Sequence, residues 1–172
     1  MSEQKPQQEF EFRAEMKQLL NIIVHSLYTN PEIFLRELIS NSSDALNKIR
    51  FRQLTDKDIN SPDAELKIEI EADKETGAFS ITDSGIGMTE EDLVNRLGTI
   101  ASSGTLDFIK QMQEENKTVD ADLIGKFGVG FYSVYMVTDF IEVETLHANK
   151  AAKAYNWASH GEDKFSIEET GR

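Results

Sequence analysis

No cysteine occurs in the 172 residues, which excludes a disulfide framework or a thiolate metal centre and suits a reducing compartment. Basic residues are also scarce: 18 Lys and Arg stand against 31 Asp and Glu, a formal net charge of -13. A groove that tracks a nucleic-acid backbone needs clustered Lys and Arg, so nucleic acid is not the expected partner. A small anion can still be held locally by backbone N–H groups. No stretch approaches the roughly 18 consecutive apolar residues that would cross a bilayer, and the opening MSEQKPQQEFEF has no apolar centre of a secretory signal. These absences lead to the expectation of a soluble, cytoplasmic domain with no membrane contact. What is present is an ordinary globular balance, 39% hydrophobic and 28% charged, in a chain long enough for one hydrophobic core.

Residues 1–9 read as a flexible polar tail, and 10–172 as one domain. The alternation of Glu9, Phe10, Glu11 and Phe12 predicts a short half-buried strand. Met16, Leu19, Leu20, Ile23, Val24 and Leu27 follow helical spacing from Glu15 to about Tyr28, where Asn30-Pro31 breaks the pattern. A second helix is predicted from Pro31 to about Leu54. Leu66, Ile68 and Ile70 alternate with charged residues, and Ala78 to Thr82 follows a Gly-containing turn, so the two segments read as an antiparallel pair. Thr89 to Asp122 is polar and broken and reads as a mobile cover of helical fragments. LIGKFGVGFYSVYMV enters a further helix, and Phe140–Leu146, Ala154–Ala158 and Lys164–Glu169 are predicted strands. Thr170-Gly171-Arg172 looks like the start of a turn whose partner strand lies further on, which favours reading the chain as part of a longer one.

Three short patterns carry chemistry. ELISNSSDAL sets Asn41, Ser42, Ser43 and Asp44 inside the second helix, although these residue types compete for backbone hydrogen bonds and prefer caps and turns. Residues four apart share a helix face, so Glu37 and Asn41 project together, with Asp44 and Lys48 continuing the row. A carboxylate and a carboxamide one turn apart suit the activation of a water and the holding of a hard cation; a solvated face with an Asp44–Lys48 ion pair is the competing reading. In DSGIGM, Asp83 closes an apolar strand and Gly85 and Gly87 permit close backbone approach. A carboxylate there can accept from an exocyclic amine while a flat base lies against the glycines, though a plain strand exit also explains the residues. In GKFGVGF, Gly125, Gly128 and Gly130 lead into a helix, as in sites where free N–H groups bind phosphate. A dinucleotide fold competes for such glycines, but they stand late in the chain, and no Gly-Lys-Ser or Gly-Lys-Thr occurs.

Taken together, FLRELISNSSDALNKIR, ITDSGIGMTEEDL, LGTIASSGT and LIGKFGVGFYSVYMV, in this order, resemble the N-terminal ATP-binding domain of the ninety-kilodalton heat-shock chaperones, in their bacterial form. The resemblance runs from about Phe10 to Arg172. It implies an α/β two-layer sandwich, a mixed, mainly antiparallel sheet covered on one face by helices, with residues 89–122 as a lid over a nucleotide pocket. It implies ATP or ADP with Mg²⁺ as ligands. Asp83 would hold the adenine amino group, with Gly87, Met88 and Leu97 around the base. Asn41 would hold Mg²⁺ and phosphates, and Asp44 and Lys48 would border the nucleoside. Gly128, Val129, Gly130 and Phe131 would meet the phosphates, and Glu37 would be the general base. Arg96 and Ser102 stand where the family often has Asn and Lys, and the family's Gly-Thr strand would begin just after Arg172. A homodimer and unfolded client proteins are implied for the longer chain. The alternatives are a nucleotide-binding regulatory module with little turnover alone, and the sister ATPases of type II topoisomerases, mismatch repair and histidine kinases.

Overall fold

The computed structural model describes residues 7–11, 32–97, 114, 130–161 and 164–171. The expected helix from Glu15 to Tyr28 lies outside the described residues. So do Gly125, Gly128 and Val129, and most of the predicted lid.

Strand β1 is Gln8–Glu11, where the Glu-Phe alternation predicts it. Helix α1 runs unbroken over Ile33–Thr55. It stops at Asp56, whose extended backbone still donates its N–H to the Arg52 carbonyl at 2.7 Å, while the Arg52 guanidinium donates to the Asp56 carboxylate at 2.8 Å. β2 (Ile68–Asp73) and β3 (Ala78–Asp83) form an antiparallel hairpin in full register, from Ile68 opposite Asp83 to Asp73 opposite Ala78. Gly77 supplies the turn's positive φ of 70°. A single helical turn, α2 (Glu90–Asp92), continues as a π-helical stretch over Leu93–Leu97. The predicted helix after the third glycine pattern is a seven-residue 3₁₀ helix, Gly130–Met136. β4 (Ile141–Leu146), β5 (Ala154–Ser159) and β6 (Lys164–Thr170) complete the chain.

Four strands make one sheet in the order β1-β6-β5-β4, and β2-β3 make a second. Every pairing among the described residues is antiparallel. For β4, β5 and β6 the reason is connection length, because a hairpin return of a few residues cannot carry the crossover that a parallel pair requires.

One face of the four-stranded sheet forms the main core. Register aligns Ile141, Ser159, Phe165 and Phe10 in one cross-strand row, and Val143, Trp157 and Ile167 in the next. Phe10 stacks on Phe165 at 5.2 Å, and Trp157 lies 5.9 Å from Phe165. Phe131 of the 3₁₀ helix meets Trp157 edge-on at 5.7 Å, so the helical layer is fastened to the sheet through aromatic rings. A satellite core of Ile49, Ile59 and Ala148, with Leu66 and Ile86 against it, joins the C-terminal half of α1 to the β3 exit and the β4–β5 connection. The β2-β3 hairpin leans on α1 through Phe34 and Phe79, whose rings meet edge-on at 5.6 Å. The layering is that of an α/β sandwich.

Candidate functional site

Helix α1 carries the first pattern without interruption. Ser42 turns into the protein, and Asn41, Ser43 and Asp44 are exposed. The polar residues therefore do not break the helix; one is sheltered and the rest form a face. Among the described residues Asp44 and Lys48 make no ion pair with each other, so the laced-surface reading of this face loses its defining contact. Glu37, at the head of the row, is only 8% exposed. Here the side chain lies against Gly130, so close that a Cβ on that glycine would fall on Glu37 Oε2 and within 2.8 Å of its Cδ.

The second pattern docks on the same helix. Asp83 is the last residue of β3 and is exposed; its Oδ1 accepts the Gly85 N–H at 2.9 Å. The strand exit is further pinned by Ser84, whose hydroxyl donates to the Glu65 carbonyl at 2.7 Å and accepts the Lys67 N–H at 2.8 Å. Gly85 passes α1 so closely that a Cβ would stand 2.5 Å from the Ala45 Cβ and 2.8 Å from its carbonyl carbon. The Ile86 N–H then donates to the Ala45 carbonyl at 3.1 Å. Asp83 is thus delivered to the part of α1 that carries Asn41, Asp44 and Lys48. Gly87 has φ 69°, and a Cβ there would collide with the Leu146 carbonyl. The Met88 N–H donates to Thr145 Oγ1 at 2.9 Å. Both residues lock the loop to the end of β4.

Ala45 and Thr145, which the sequence reading missed, hold the DSGIGM loop through backbone and hydroxyl groups. Nothing local in the sequence marks them, because their partners lie far along the chain. Leu97 is buried, and its carbonyl accepts from the Tyr132 hydroxyl. Burial pushes that hydroxyl above its ordinary pKa, which keeps it protonated and able to donate. Phe131 is half-buried between Tyr132 and Trp157. The helix that begins at Gly130 is short and 3₁₀, so a phosphate there would be met by individual N–H groups rather than by a long helix dipole.

Residues 28–169 match the family described as histidine kinase-, DNA gyrase B-, and HSP90-like ATPase. The chain belongs to this ATPase family. Among its relatives, the chaperone protein HtpG of Chlorobaculum tepidum is 57% identical over 167 residues, covering 95% of this chain and 27% of its own length. The endoplasmin homolog of Hordeum vulgare is 52% identical over 164 residues, 94% of this chain and 20% of its own. The HtpG of Pseudoalteromonas translucida is 49% identical over 158 residues, with shares of 92% and 24%. The chain spans about a quarter of the length of the curated HtpG relatives it matches.

In this ATPase domain the start of the expected lid is a charged junction. Thr89 caps α2 reciprocally: its hydroxyl accepts the Asp92 N–H at 3.1 Å, and its own N–H donates to the Asp92 carboxylate at 3.1 Å. Burial opposes ionisation of Asp92, but the Thr89 hydrogen bonds and the charges of Arg96 and His147 outweigh it and hold the carboxyl below its ordinary range. His147, in the β4–β5 connection, is shifted the same way for different reasons: burial, then Arg52 and Arg96, lower its pKa against the opposing pull of Asp92. Leu93 and Leu97 are buried, so the first turns of the expected lid are anchored in the core rather than loose.

No cluster of three or more His, Cys, Asp or Glu converges among the described residues. Mg²⁺ does not require one, because it keeps waters and takes phosphate oxygens alongside one or two protein ligands. The exposed carboxamide of Asn41, one turn from Glu37, is a neutral hard-oxygen donor that fits such a role.

Proposed function

We propose that this domain binds ATP and ADP with Mg²⁺ and supplies the general base for ATP hydrolysis in a molecular chaperone of the HtpG type. The observation that carries the reading is the convergence on one face of α1: Gly130 at Glu37, and the Asp83 loop at Ala45. These contacts support reading Asp83, on the loop docked against α1, as the adenine-recognising carboxylate and Glu37, on α1 itself, as the water-activating one.

Asp83 accepts the adenine amine through the carboxylate oxygen not occupied by Gly85, with Gly87, Met88 and Leu97 around the base. Asp44 and Lys48 border the sugar. Asn41 holds Mg²⁺, which screens the phosphate charge. Gly128, Val129, Gly130 and Phe131 approach the phosphates through their backbone. Glu37 takes a proton from the attacking water as its oxygen bonds to the γ-phosphorus; the bond to the β,γ-bridging oxygen breaks and ADP leaves. Residues 89–122 close over the site and exclude water. Client binding, homodimerisation and a cytoplasmic setting are proposed for the whole protein on the strength of the chaperone relatives.

Calorimetric titration with ATP, ADP and GTP, with and without Mg²⁺, tests the reading. Adenine-selective binding is expected. Equal affinity for GTP, or none for ATP, would overturn it.

A further inference from the structure

We propose that Gly130 is a positioning residue for the general base: its missing side chain is the space in which the Glu37 carboxylate is held. The inference deepens the proposed ATPase reading and rests on it.

A glycine has three ordinary uses: backbone freedom, close approach to a ligand, or room for a neighbouring group. Gly130 does not use the first, since the positive-φ glycines among the described residues are Gly77, Gly87 and Gly161. Room is directly visible. A Cβ would fall on Glu37 Oε2 and lie 2.8 Å from Cδ and 3.0 Å from Cγ, so the obstruction extends over the whole end of the side chain. At Gly85 and Gly87 the obstructing atoms include backbone of Ala45 and of Leu146 and His147; at Gly130 the three nearest atoms all belong to Glu37. Alanine at 130 would therefore displace the far end of one flexible side chain and leave the backbone in place.

Such a displacement bears directly on a base, whose rate depends on its aim at the water. Bringing the Cβ to ordinary contact requires the carboxylate to move by about 1 Å, and a misplacement of that size can cost about 10²-fold in rate. Glu37 is 8% exposed and anchored on a long helix, so it has few other places to go that remain aimed at the same water. Ser133 Oγ donates back to the Gly130 carbonyl at 2.5 Å, and Ser133 is itself fully buried, so the glycine's own backbone is fixed against retreat.

The test is a double-mutant cycle of Gly130→Ala and Glu37→Ala in the chain at its full native length, reading steady-state ATP turnover and ATP affinity separately. G130A is expected to lower kcat about 10²-fold with affinity changed less than about threefold, because alanine keeps the backbone N–H that meets the phosphate. In the E37A background the same substitution should cause no further loss, because no carboxylate remains to be displaced. Additive losses, or a G130A effect carried by affinity, would limit Gly130 to the backbone phosphate contact proposed above and overturn the positioning role. Glu37→Asp in the G130A background withdraws the carboxylate by one methylene and should restore part of the lost kcat; no recovery counts against it. Should G130A fail to fold while G130A/E37A folds, the steric pairing stands; failure of both would make Gly130 a requirement of the fold and remove the proposal. Failure of the underlying reading has its own signature: E37A alone would leave kcat unchanged.

Discussion

Asp83 ends β3 with one carboxylate oxygen already occupied by the Gly85 N–H at 2.9 Å, which fixes how the other is presented. An Asp83→Asn side chain keeps the size, and its carbonyl oxygen can keep the Gly85 bond, but the amide nitrogen then presents a donor where an adenine amine also donates. A hydrogen bond to a charged group is worth about 1.5–3 kcal/mol, so D83N should weaken ATP by roughly 10- to 150-fold. Because Asp83 is exposed, the urea midpoint should hardly move; full ATP affinity by calorimetry would remove Asp83 from the site. Gly85→Ala should behave in the opposite way. Its Cβ would press on the Cβ and backbone of Ala45 at 2.5 and 2.8 Å, atoms that cannot rotate aside, and a loss of about 1–3 kcal/mol in urea unfolding is expected. Unchanged stability would mean that the loop lifts away at no cost. The row Glu37, Asn41, Asp44 and Lys48 is legible in the sequence because helical repeat alone decides which residues share a face. The reasons for Gly85 and Gly87 are not, because each is set by a backbone brought close only by tertiary folding.

Helix α1 is predicted over Pro31 to about Leu54 and found over Ile33–Thr55, because a long apolar repeat leaves little ambiguity about element type. The short helical pieces are less legible. Leu93–Leu97 is π-helical and Gly130–Met136 is 3₁₀, and five to seven residues do not carry enough repeats to distinguish one hydrogen-bond closure from another. The start of the expected lid differs from the mobile cover read from the sequence. Leu93 is fully buried and Leu97 nearly so, with the Tyr132 hydroxyl on the Leu97 carbonyl, so these turns belong with the core. Hydrogen exchange with and without a non-hydrolysable ATP analogue should therefore divide the segment. The amides of Leu93 and Leu97 should be protected in both states, and protection elsewhere in 89–122 should rise with the nucleotide. Uniform protection throughout, unaltered by ligand, would show that the segment does not close.

At the scale of the whole molecule, each described strand is legible as a segment of the sequence, but its partners are not. β1 pairs with β6 from the opposite end of the chain, and among the described residues β2-β3 form a sheet of their own; no local pattern encodes either fact. The same long-range assembly places His147 between three elements: Arg52 on α1, Asp92 and Arg96 at the lid start, and its own connection, where its Nδ1 accepts the Asn149 N–H at 3.2 Å. That acceptor role needs the neutral ring, and burial with the two arginines outweighs Asp92 in favouring it. The folded pKa therefore lies below the ordinary 6.5. Above that value neither state takes up the proton, and the contribution to stability is complete. As pH falls below it, the unfolded chain binds the proton first, so stability is lost progressively until the folded pKa is passed. Asp92, also depressed, acts in a separate window below its ordinary 3.8. The urea midpoint should consequently fall between pH 7.5 and 5.5, and His147→Gln, which cannot take a proton, should flatten that fall. An equal pH dependence in the two proteins would show that His147 does not couple the lid start to the rest of the fold by its charge.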